Sequence, residues 1–304
     1  MPTVPLAPVH PGGRFPVRGR MLAAVLAAST APLVVRAFGT RPGWVAVNAR
    51  GCPVGLAEGP AFVAAGLAGI AVAAPATLPT LVALEAPVVA AGRIDDLRGA
   101  RADRGVRGHL AALRAGRATS GQLKAFVLVA AGLAVAGLPS AAAAHLRGGR
   151  LGQRAPASPV PVQRGVVDTL VAGGVIAASA NLVNLLDVVP GRALKAVLAA
   201  STAGALAAPA TDVPTGVVLA AAAGAAAGLL PADLAEATML GDAGSNAAGA
   251  LVGWGLARSG RRLHRVALLG ALSAATALSE AVSFSRSIEA VPMLRWLDRL
   301  GRRP

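Results

Sequence analysis

The chain has 304 residues, of which 55% are hydrophobic and only 14% are charged, and its mean hydropathy is +0.62. A soluble domain carries about 25% charged residues, and the long apolar runs leave no polar face for an amphipathic helix, so the composition argues against a soluble bundle. The net charge of +15 would indicate nucleic-acid binding in a soluble protein. Here the basic residues lie between apolar runs, where they contact anionic headgroups and set topology, so no nucleic-acid partner is expected.

The apolar runs predict an all-α, polytopic integral membrane protein. A helix needs about 20 apolar residues to cross a hydrocarbon core of about 30 Å, and by that measure the chain has about nine transmembrane helices. In chain order they are residues 21–38, 60–75, 77–92, 123–144, 165–183, 193–210, 214–230, 245–257 and 266–281. Residues 1–20 form a basic N-terminal segment, residues 21–281 a single transmembrane domain, and residues 282–304 a basic, amphipathic C-terminal tail.

The loops of such a protein alternate between the two sides of the membrane. With nine spans, loops 39–59, 93–122, 184–195 and 231–244 share one side with the C-terminal tail. That side holds more of the Lys and Arg residues, so the positive-inside rule predicts that it is cytoplasmic. The chain is therefore expected in the plasma membrane, with these loops facing the cytoplasm.

The first acidic cluster, Asp95-Asp96, lies where the third apolar run ends. Adjacent carboxylates repel each other, and burying either one is costly unless a cation compensates its charge. Mg²⁺ is typically held by one or two carboxylates together with substrate phosphates, so the pair is a candidate metal and phosphate site. The pair would equally fit a solvated helix end, with Arg93 and Arg98 as neighbours.

The second cluster closes the fifth apolar run. Asn181, Asn184 and Asp187 recur at a three-residue spacing, which places neighbours on adjoining parts of one helix face. The two amides would also fit a purely structural role as interhelical hydrogen bonds. The aspartate, however, is followed closely by Arg192 and Lys195, so a metal-type ligand and two phosphate-type cations lie within a few residues.

The third cluster, residues 241–246, reads Gly-Asp-Ala-Gly-Ser-Asn and opens another apolar run. Glycines allow a backbone to approach a ligand closely, and free amides at a helix N-terminus suit phosphate. Asp242 would equally serve as a helix N-cap. Because all three clusters fall on one predicted face, beside the Arg-rich 93–122 loop, their co-location favours a metal and phosphate site at the cytoplasmic membrane surface.

These clusters resemble the motifs of the glycosyltransferase-4 group, which includes phospho-N-acetylmuramoyl-pentapeptide transferase and the polyprenyl-phosphate N-acetylglucosamine-1-phosphate transferases. Asp95-Asp96 matches the group's Asp-Asp motif, residues 181–187 match Asn-x-x-Asn-Leu-x-Asp, and residues 241–245 match Gly-Asp-x-Gly-Ser. The polar loop after the group's early helices is resembled by Asn48, Arg50, Gly51 and Pro53.

The resemblance implies that a polyprenyl phosphate displaces UMP from a UDP-amino sugar in a Mg²⁺-dependent step of cell-envelope glycan synthesis, such as that of peptidoglycan. It implies Asp242 and Asp187 as Mg²⁺ ligands, and Asp95, Asp96 and Asp187 as catalytic carboxylates around the metal and the lipid phosphate. It also implies a homodimer. Together with the residue pattern, it marks as substrate-binding Asn181, Asn184, Lys124, Arg107, Arg192, Lys195, Gly241 and Gly244.

The chain departs from the family pattern in two places. After Asp187 the family continues Gly-x-Asp-Gly, whereas this chain has Val-Val-Pro-Gly at residues 188–191, so a second carboxylate is lost. The His-rich cytoplasmic loop is missing as well. One alternative is therefore a catalytically inactive relative that binds polyprenyl phosphate or an envelope partner. Another is a transporter that uses the intramembrane carboxyl of Glu85 as a coupling site.

Overall fold

A computed structural model describes residues 15–38, 41, 43–48, 50–98, 105–137, 165–258 and 260–302. These residues form twelve α-helices and one two-stranded sheet, β1 (Val45–Val47) with β2 (Pro53–Gly55). The helices are α1 (Phe15–Phe38), α2 (Glu58–Ala73), α3 (Leu78–Arg98), α4 (Gly105–Arg114), α5 (Ser120–Gly137), α6 (Val166–Leu186), α7 (Arg192–Ala207), α8 (Val213–Leu234), α9 (Gly241–Arg258), α10 (Arg262–Ala281), α11 (Phe284–Ala290) and α12 (Pro292–Arg299).

Of the described helices, five are long and apolar enough to cross a membrane, namely α1, α3, α5, α6 and α8. A sixth span results if α10 and α11, which meet at a bend of 97°, are counted together. The chain is therefore a multi-pass helical membrane protein, but the prediction of about nine spans is not confirmed.

The difference from the predicted count lies in the length and composition of the helices, because each of the nine predicted segments coincides with a helix, and α10, with 20 residues, is not counted by itself. α2 and α7 have 16 residues each, which at 1.5 Å per residue is about 24 Å and falls short of a hydrocarbon core of about 30 Å. α9 begins with polar and small residues, so its apolar part is also short. The end of the predicted span 123–144 lies outside the described residues, as do residues 1–14 of the predicted N-terminal segment.

α8 lies at the centre of the bundle, against α1, α2 and α7. Its contact with α1 depends on glycine and alanine residues, which have no side chain or only a methyl group. A Cβ at Gly224 would lie 2.1 Å from the Ala24 carbonyl oxygen, and one at Gly228 would lie 2.4 Å from that of Ala28. Small residues allow helix backbones to approach in this way in a membrane, so the high Gly and Ala content serves packing.

α9 is the element that gathers the acidic clusters. It packs against α6 and α3 along its length, and its first turn meets α2. A Cβ at Gly249 would lie 2.4 Å from the Ser179 carbonyl oxygen in α6, and one at Gly92 in α3 would lie 2.5 Å from that of Asp242. These close contacts bring the C-terminal ends of α3 and α6 to the N-terminal end of α9.

The hairpin of β1 and β2 corrects the all-α prediction locally. Asn48 holds its turn, because the side-chain Oδ1 accepts hydrogen bonds from the backbone N–H groups of Arg50 and Cys52 at 3.0 and 2.9 Å. Gly51 adopts a φ of +81°, which favours glycine. Gly55 is hydrogen-bonded to the loop that precedes α9, so the hairpin covers that loop. Three-residue strands are too short to show a period-two pattern in the sequence.

Candidate active site

The N-terminus of α9 is capped by a carboxylate from α3 and lies close to a carboxylate that follows α6. Asp96 of α3 accepts hydrogen bonds from the N–H groups of Asp242 at 2.8 Å and Ala243 at 3.2 Å. Asp187, one residue beyond α6, lies near the same turn, where its charge interacts with those of Asp96 and Asp242. The first N–H groups of a helix have no partner within the helix and favour negative charge. Capping by Asp96 therefore fixes the first cluster onto the third.

This capping corrects the expectation that the amides at the start of α9 are free for phosphate. The amides of Asp242 and Ala243 already donate to Asp96, so these two N–H groups are not available to phosphate. The two glycines of the motif serve close packing. A Cβ at Gly241 would lie 2.9 Å from a methyl of Leu56, and one at Gly244 would lie 2.4 Å from the Cα of Gly59.

Lys124 joins the first and third clusters through one ammonium group. Its Nζ lies 2.6 Å from Oδ2 of Asp95 and 3.2 Å from Oδ1 of Asp242. The hydroxyl of Ser120, one turn earlier in α5, donates to the other oxygen of Asp95 at 2.6 Å. α5 thus supplies the cation that offsets the charge of two carboxylates from α3 and α9.

The carboxyl of Asp187 lies near several other acidic side chains. Burial raises the pKa of its carboxyl well above the ordinary value, and the neighbouring charges of Asp233, Asp242 and Asp96 raise it further. Like charges gathered in this way disfavour ionisation of each member unless a cation is present. The arrangement therefore has a place for a further positive charge beside Lys124.

A cavity of about 1520 Å³ opens beside these carboxylates. One part of its lining is polar and is formed by the acidic residues of the three clusters, by Lys124 and by Ser120. Another part is apolar and comes from α5, α6 and α10, with Leu128, Val129 and Leu269 among its residues. The cavity can therefore hold a charged group and an apolar chain side by side.

The two amides of the second cluster line this cavity and also link helices. Asn184 accepts a hydrogen bond at 2.8 Å through Oδ1 from the hydroxyl of Ser245 in α9. Asn181 donates from Nδ2 to the hydroxyl of Thr276 in α10 at 3.2 Å. Each amide is thus oriented by a hydrogen bond to a neighbouring helix. Interhelical hydrogen bonding is the structural alternative that the sequence analysis gave for these two residues.

Three predicted cations do not contribute described side chains to the cavity. Arg192 is 7% exposed and forms hydrogen bonds of 2.8 and 3.1 Å with the carboxylate of Asp298. Lys195 donates to the backbone carbonyls of Leu297 and Asp298. Both are thus engaged by the C-terminal residues, contrary to the expected contact with phosphate. The side chain of Arg107, in α4, lies outside the described residues.

Two buried acidic residues belong to the site although the sequence analysis did not single them out. Asp233, at the end of α8, is 3% exposed, and its Oδ2 accepts a hydrogen bond from the Gly191 N–H at 3.1 Å. Glu58, at the start of α2, is fully buried and accepts a hydrogen bond from the hydroxyl of Thr238. The charges of both interact with that of Asp187. The sequence feature that could have identified both residues is the position of an acidic residue at the end of an apolar run.

Glu236 ties the hairpin to the rim of the cavity and was also not predicted. Its carboxylate accepts hydrogen bonds from Nδ2 of Asn48 at 2.8 Å and from the guanidinium of Arg50 at 2.7 Å. Its φ of +56° is uncommon for a residue other than glycine. This carboxylate therefore anchors the polar loop that resembles the family's early loop, in addition to the backbone hydrogen bonds of Gly55.

The residues at the centre of the site fit Mg²⁺ bound together with a substrate. Within the part of the chain that the structure describes, no three His, Cys, Asp or Glu side chains form a cage for a metal ion. Mg²⁺ seldom uses such a cage, because it keeps several waters and is held by one or two carboxylates plus substrate phosphates. Asp95 and Asp242 lie 2.6 and 3.2 Å from one ammonium nitrogen and offer the oxygen ligands that Mg²⁺ prefers.

Comparison with known proteins agrees with this geometry. None of the curated proteins matches the chain. The family model described as Glycosyl transferase family 4 matches residues 78–259, which is more than half of the chain. The match runs from the start of α3 to the end of α9 and so includes Asp95, Lys124, Asp187 and Asp242. The chain belongs to glycosyl transferase family 4 and, at the family level, is a phosphosugar transferase of the polyprenyl-phosphate kind.

Proposed function

We propose that this protein transfers a sugar 1-phosphate from a UDP-sugar to polyprenyl phosphate, releases UMP and requires Mg²⁺. The family match supports phosphosugar transfer at a coarser level, whereas the nucleotide sugar and the metal belong to the proposal. An N-acetylamino sugar is the expected class of substrate, and the product would serve cell-envelope glycan synthesis. The reaction would take place at the cytoplasmic face of the plasma membrane, where the Lys and Arg bias puts the acidic loops.

One observation carries the proposal. The ammonium of Lys124 lies between the carboxylates of Asp95 and Asp242, at a cavity whose lining is partly acidic and partly apolar. A cation-binding pair beside an apolar wall suits two substrates at once, because a diphosphate needs charge neutralisation and a prenyl chain needs an apolar surface. A cavity of about 1520 Å³ is large enough for both reacting groups.

In the proposed reaction, an oxygen of the lipid phosphate forms a bond to the sugar-bearing phosphorus, and the bond from that phosphorus to the UMP oxygen breaks. Positioning and charge neutralisation supply most of the catalysis in phosphoryl transfer. When bound, Mg²⁺ supplies neutralisation at the diphosphate. Asp242 and Asp95 would hold it, and the ammonium of Lys124 would donate to a phosphate oxygen as charge develops there.

Asp96 and Asp187 would act mainly by holding the site in shape. Asp96 caps the start of α9 and so fixes Asp242 relative to α3, and Asp187 lies beside the same turn. A displacement of about 1 Å can cost about 100-fold in rate, so these capping bonds matter to catalysis without contact with the reacting phosphorus. Asp187 also lines the cavity, so it would in addition serve as a metal ligand.

The test is UMP release by the purified full chain with Mg²⁺, undecaprenyl phosphate and a panel of UDP-sugars. We expect one or more sugars to give UMP, and we expect Asp242→Ala to abolish the signal. Glu289→Gln is the matched acidic control, since Glu289 is exposed and pairs only with Arg299 in the described residues. If no sugar gives UMP above the Asp242→Ala background, the proposed activity is wrong.

A second candidate function is binding without turnover. It is favoured by the fact that some of the polar groups at the site already have partners within the protein, since Lys124 pairs with Asp95 and Asp242 and two α9 amides are capped by Asp96. In that case polyprenyl phosphate would bind to the parent protein and equally to the Asp187→Asn and Asp242→Asn variants, and none of them would release UMP. The transporter alternative gains no support, because the cavity's described lining does not include Glu85.

A further inference from the structure

The chain changes direction at the end of α10. α10 packs against the membrane-spanning helix α6, and its last turn, including Glu280, lines the cavity. The next helix, α11, is inclined to it by 97°. Because α10 stands alongside a transmembrane helix, this turn lays α11 nearly parallel to the membrane plane, at the level of the candidate active site. α11, α12 and the residues up to Arg302 are called the C-terminal segment below.

One face of α12 is fixed to the protein by charge. Asp298 is 6% exposed and pairs with the guanidinium groups of Arg192 and Arg302. Arg302 also donates to the carbonyl of Pro190 at 2.8 Å, and Lys195 donates to two carbonyls at the end of the helix. Buried, charge-assisted hydrogen bonds of this kind set a helix in one orientation, so the opposite face of α12 has a defined direction.

The opposite face of α12 is apolar and has no cover in the described residues. Met293 and Trp296 are 71% and 63% exposed. With Leu297 and Leu300, which are also exposed, they recur at i, i+3, i+4 and i+7 and therefore form one stripe. Beside the stripe, Arg295 is exposed, and the exposed Arg299 pairs with Glu289. An apolar stripe flanked by arginines, with a tryptophan within it, is typical of helices that lie in a membrane interface.

We propose that α12 is an interfacial helix that inserts its apolar stripe into the headgroup region of an anionic bilayer. The bend after α10 turns α11 away from the axis of α10, the pairing of Asp298 points the stripe of α12 away from the protein, and the arginines complement anionic headgroups. The partner is thus the surface of the membrane in which the protein resides. The proposal concerns a surface outside the cavity and does not depend on the proposed transferase activity.

The test uses Trp296 as the reporter in the full-length protein. In a Trp44→Phe, Trp254→Phe background it is the sole tryptophan of the chain, and the protein is placed in nanodiscs with lipids brominated near the headgroup. We expect bromolipids to quench Trp296 on the order of two-fold, as for a side chain at the headgroup boundary. Quenching by aqueous acrylamide with none by bromolipids would mean that the stripe faces water or a protein partner, and would overturn the proposal.

Two controls make the result specific. In the same background, Trp296→Phe with Arg295→Trp moves the reporter about 100° around the helix, and bromolipid quenching is expected to fall. Equal quenching at the two positions would refute the assigned face. Arg295→Gln with Arg299→Gln is expected to reduce Trp296 quenching in discs that contain anionic phosphatidylglycerol more than in discs of neutral phosphatidylcholine. The same loss in both lipids would refute the role of anionic headgroups.

Discussion

At the scale of single residues, the positive charge of Lys124 allows the carboxylates of Asp95 and Asp242 to lie in the same part of the site. Asp95 and Asp242 come from helices far apart in sequence, yet both contact the ammonium of Lys124, at 2.6 and 3.2 Å. The side chains of Lys124 and Asp95 are only 13% and 12% exposed, so water screens their charges weakly. The ammonium therefore offsets the charge of both carboxylates, and in the proposed reaction it would turn to a phosphate oxygen.

Replacement of Lys124 by Met tests this role. The Lys124→Met variant loses the donor to the developing phosphate charge, and we expect UMP release to fall about 100-fold. Because Asp95 and Asp242 are then left without their cation, the Mg²⁺ concentration for half-maximal activity should shift as well. Lys124→Arg keeps the charge and should retain more activity. A Lys124→Met variant with the parent rate at all Mg²⁺ concentrations would contradict the role.

A second prediction at the residue scale concerns Glu85. A transporter would use this carboxyl as a coupling site, whereas the proposed transferase does not need it. Both of its carboxyl oxygens are buried, and neither has a hydrogen-bond partner among the described residues. An unpaired buried polar group costs about 1–3 kcal/mol, so Glu85→Leu should unfold at a higher temperature than the parent, and UMP release should be unchanged. Thermal unfolding in detergent and the transfer assay measure both. Loss of transfer in Glu85→Gln would show that this carboxyl takes part in function.

Site residues that belong to a sequence motif could be predicted individually. The hydrogen-bond partner of a residue could not be predicted when that partner lies far away in the sequence. Asp95, Asp96, Asp187 and Asp242 meet as expected, because each stands at the end of an apolar run. The partner of Arg192 could not be foreseen, since Asp298 lies 106 positions further along the chain. No local spacing or periodicity links two such residues, and only the tertiary fold brings them together.

At the scale of helices, the contact between α3 and α9 sets the distance between the acidic clusters. A Cβ at Gly92 would lie 2.5 Å from the Cα of Ala243, and backbone atoms cannot yield as a flexible side chain can. Gly92→Ala should therefore force the two helices apart, at a cost of about 1–3 kcal/mol. We expect a lower unfolding temperature and a lower rate of UMP release.

Gly270 in α10 is the matched control, because a Cβ there would meet nothing within 4 Å. Alanine is favoured over glycine in a helix by about 1 kcal/mol, so Gly270→Ala should leave activity unchanged and stability equal or higher. If both variants behaved alike, the close approach of α3 and α9 would have no bearing on the site.

The pairing of α12 with the start of α7 is a second interaction between elements. Asp298→Asn leaves the 7%-exposed Arg192 with a neutral partner, and the loss of a charge from a buried pair should cost up to about 3 kcal/mol. Glu289→Gln removes a carboxylate from an exposed pair, where the effect should stay below about 1 kcal/mol. Denaturation of the two variants in parallel gives the comparison. Equal destabilisation would mean that the Asp298 pair does not fix α12.

The Asp298 pair also predicts a pH dependence. Burial raises the pKa of this carboxyl, but the guanidinium groups of Arg192 and Arg302 more than offset it and hold the pKa below its ordinary value. The stabilisation is therefore complete above the unfolded-state pKa of about 3.9 and is lost as the pH falls through the lower, folded-state value. The stability difference between the parent and Asp298→Asn should be constant at neutral pH and shrink only below about pH 4.

Helices were easier to predict from the sequence than the connections between them. Each apolar run coincides with a helix, because hydrophobicity is a local property of the chain. The hairpin of β1 and β2 was not predicted, since its strands are three residues long. α4 was not predicted either, within a loop interpreted as polar. The 97° turn between α10 and α11 depends on packing against other helices. Such packing cannot be predicted from the sequence of one segment.

At the scale of the whole molecule, the account requires that the site face the cytoplasm. The chain contains one cysteine, Cys52, which is exposed in the hairpin turn beside the site. A membrane-impermeant maleimide should label it in inverted vesicles and leave it unlabelled in intact cells. In a Cys52→Ser background, Arg261→Cys lies beyond the far end of α9 and should show the opposite pattern. Labelling of Cys52 from outside intact cells would reverse the proposed topology.

The membrane class and the gathering of the acidic clusters could be predicted from the sequence, whereas the predicted number of spans is not confirmed. Hydropathy identifies apolar segments but does not distinguish a helix that crosses the bilayer from a shorter one packed inside the bundle. α2 and α7 have only 16 residues each, fewer than the length typical of a spanning helix. Their apolar character reflects burial among other helices as much as contact with lipid.

The central claim is that helix ends remote in sequence hold one divalent cation together with a substrate phosphate. Anomalous diffraction from crystals of the protein with Mn²⁺ and a UDP-sugar tests it most directly. The account predicts one strong peak about 2.0–2.2 Å from carboxylate oxygens of Asp242 and Asp95, with the ammonium of Lys124 turned to a phosphate oxygen. A bound nucleotide with Lys124 still between the two carboxylates, and the Mn²⁺ peak away from Asp242, would contradict the claim.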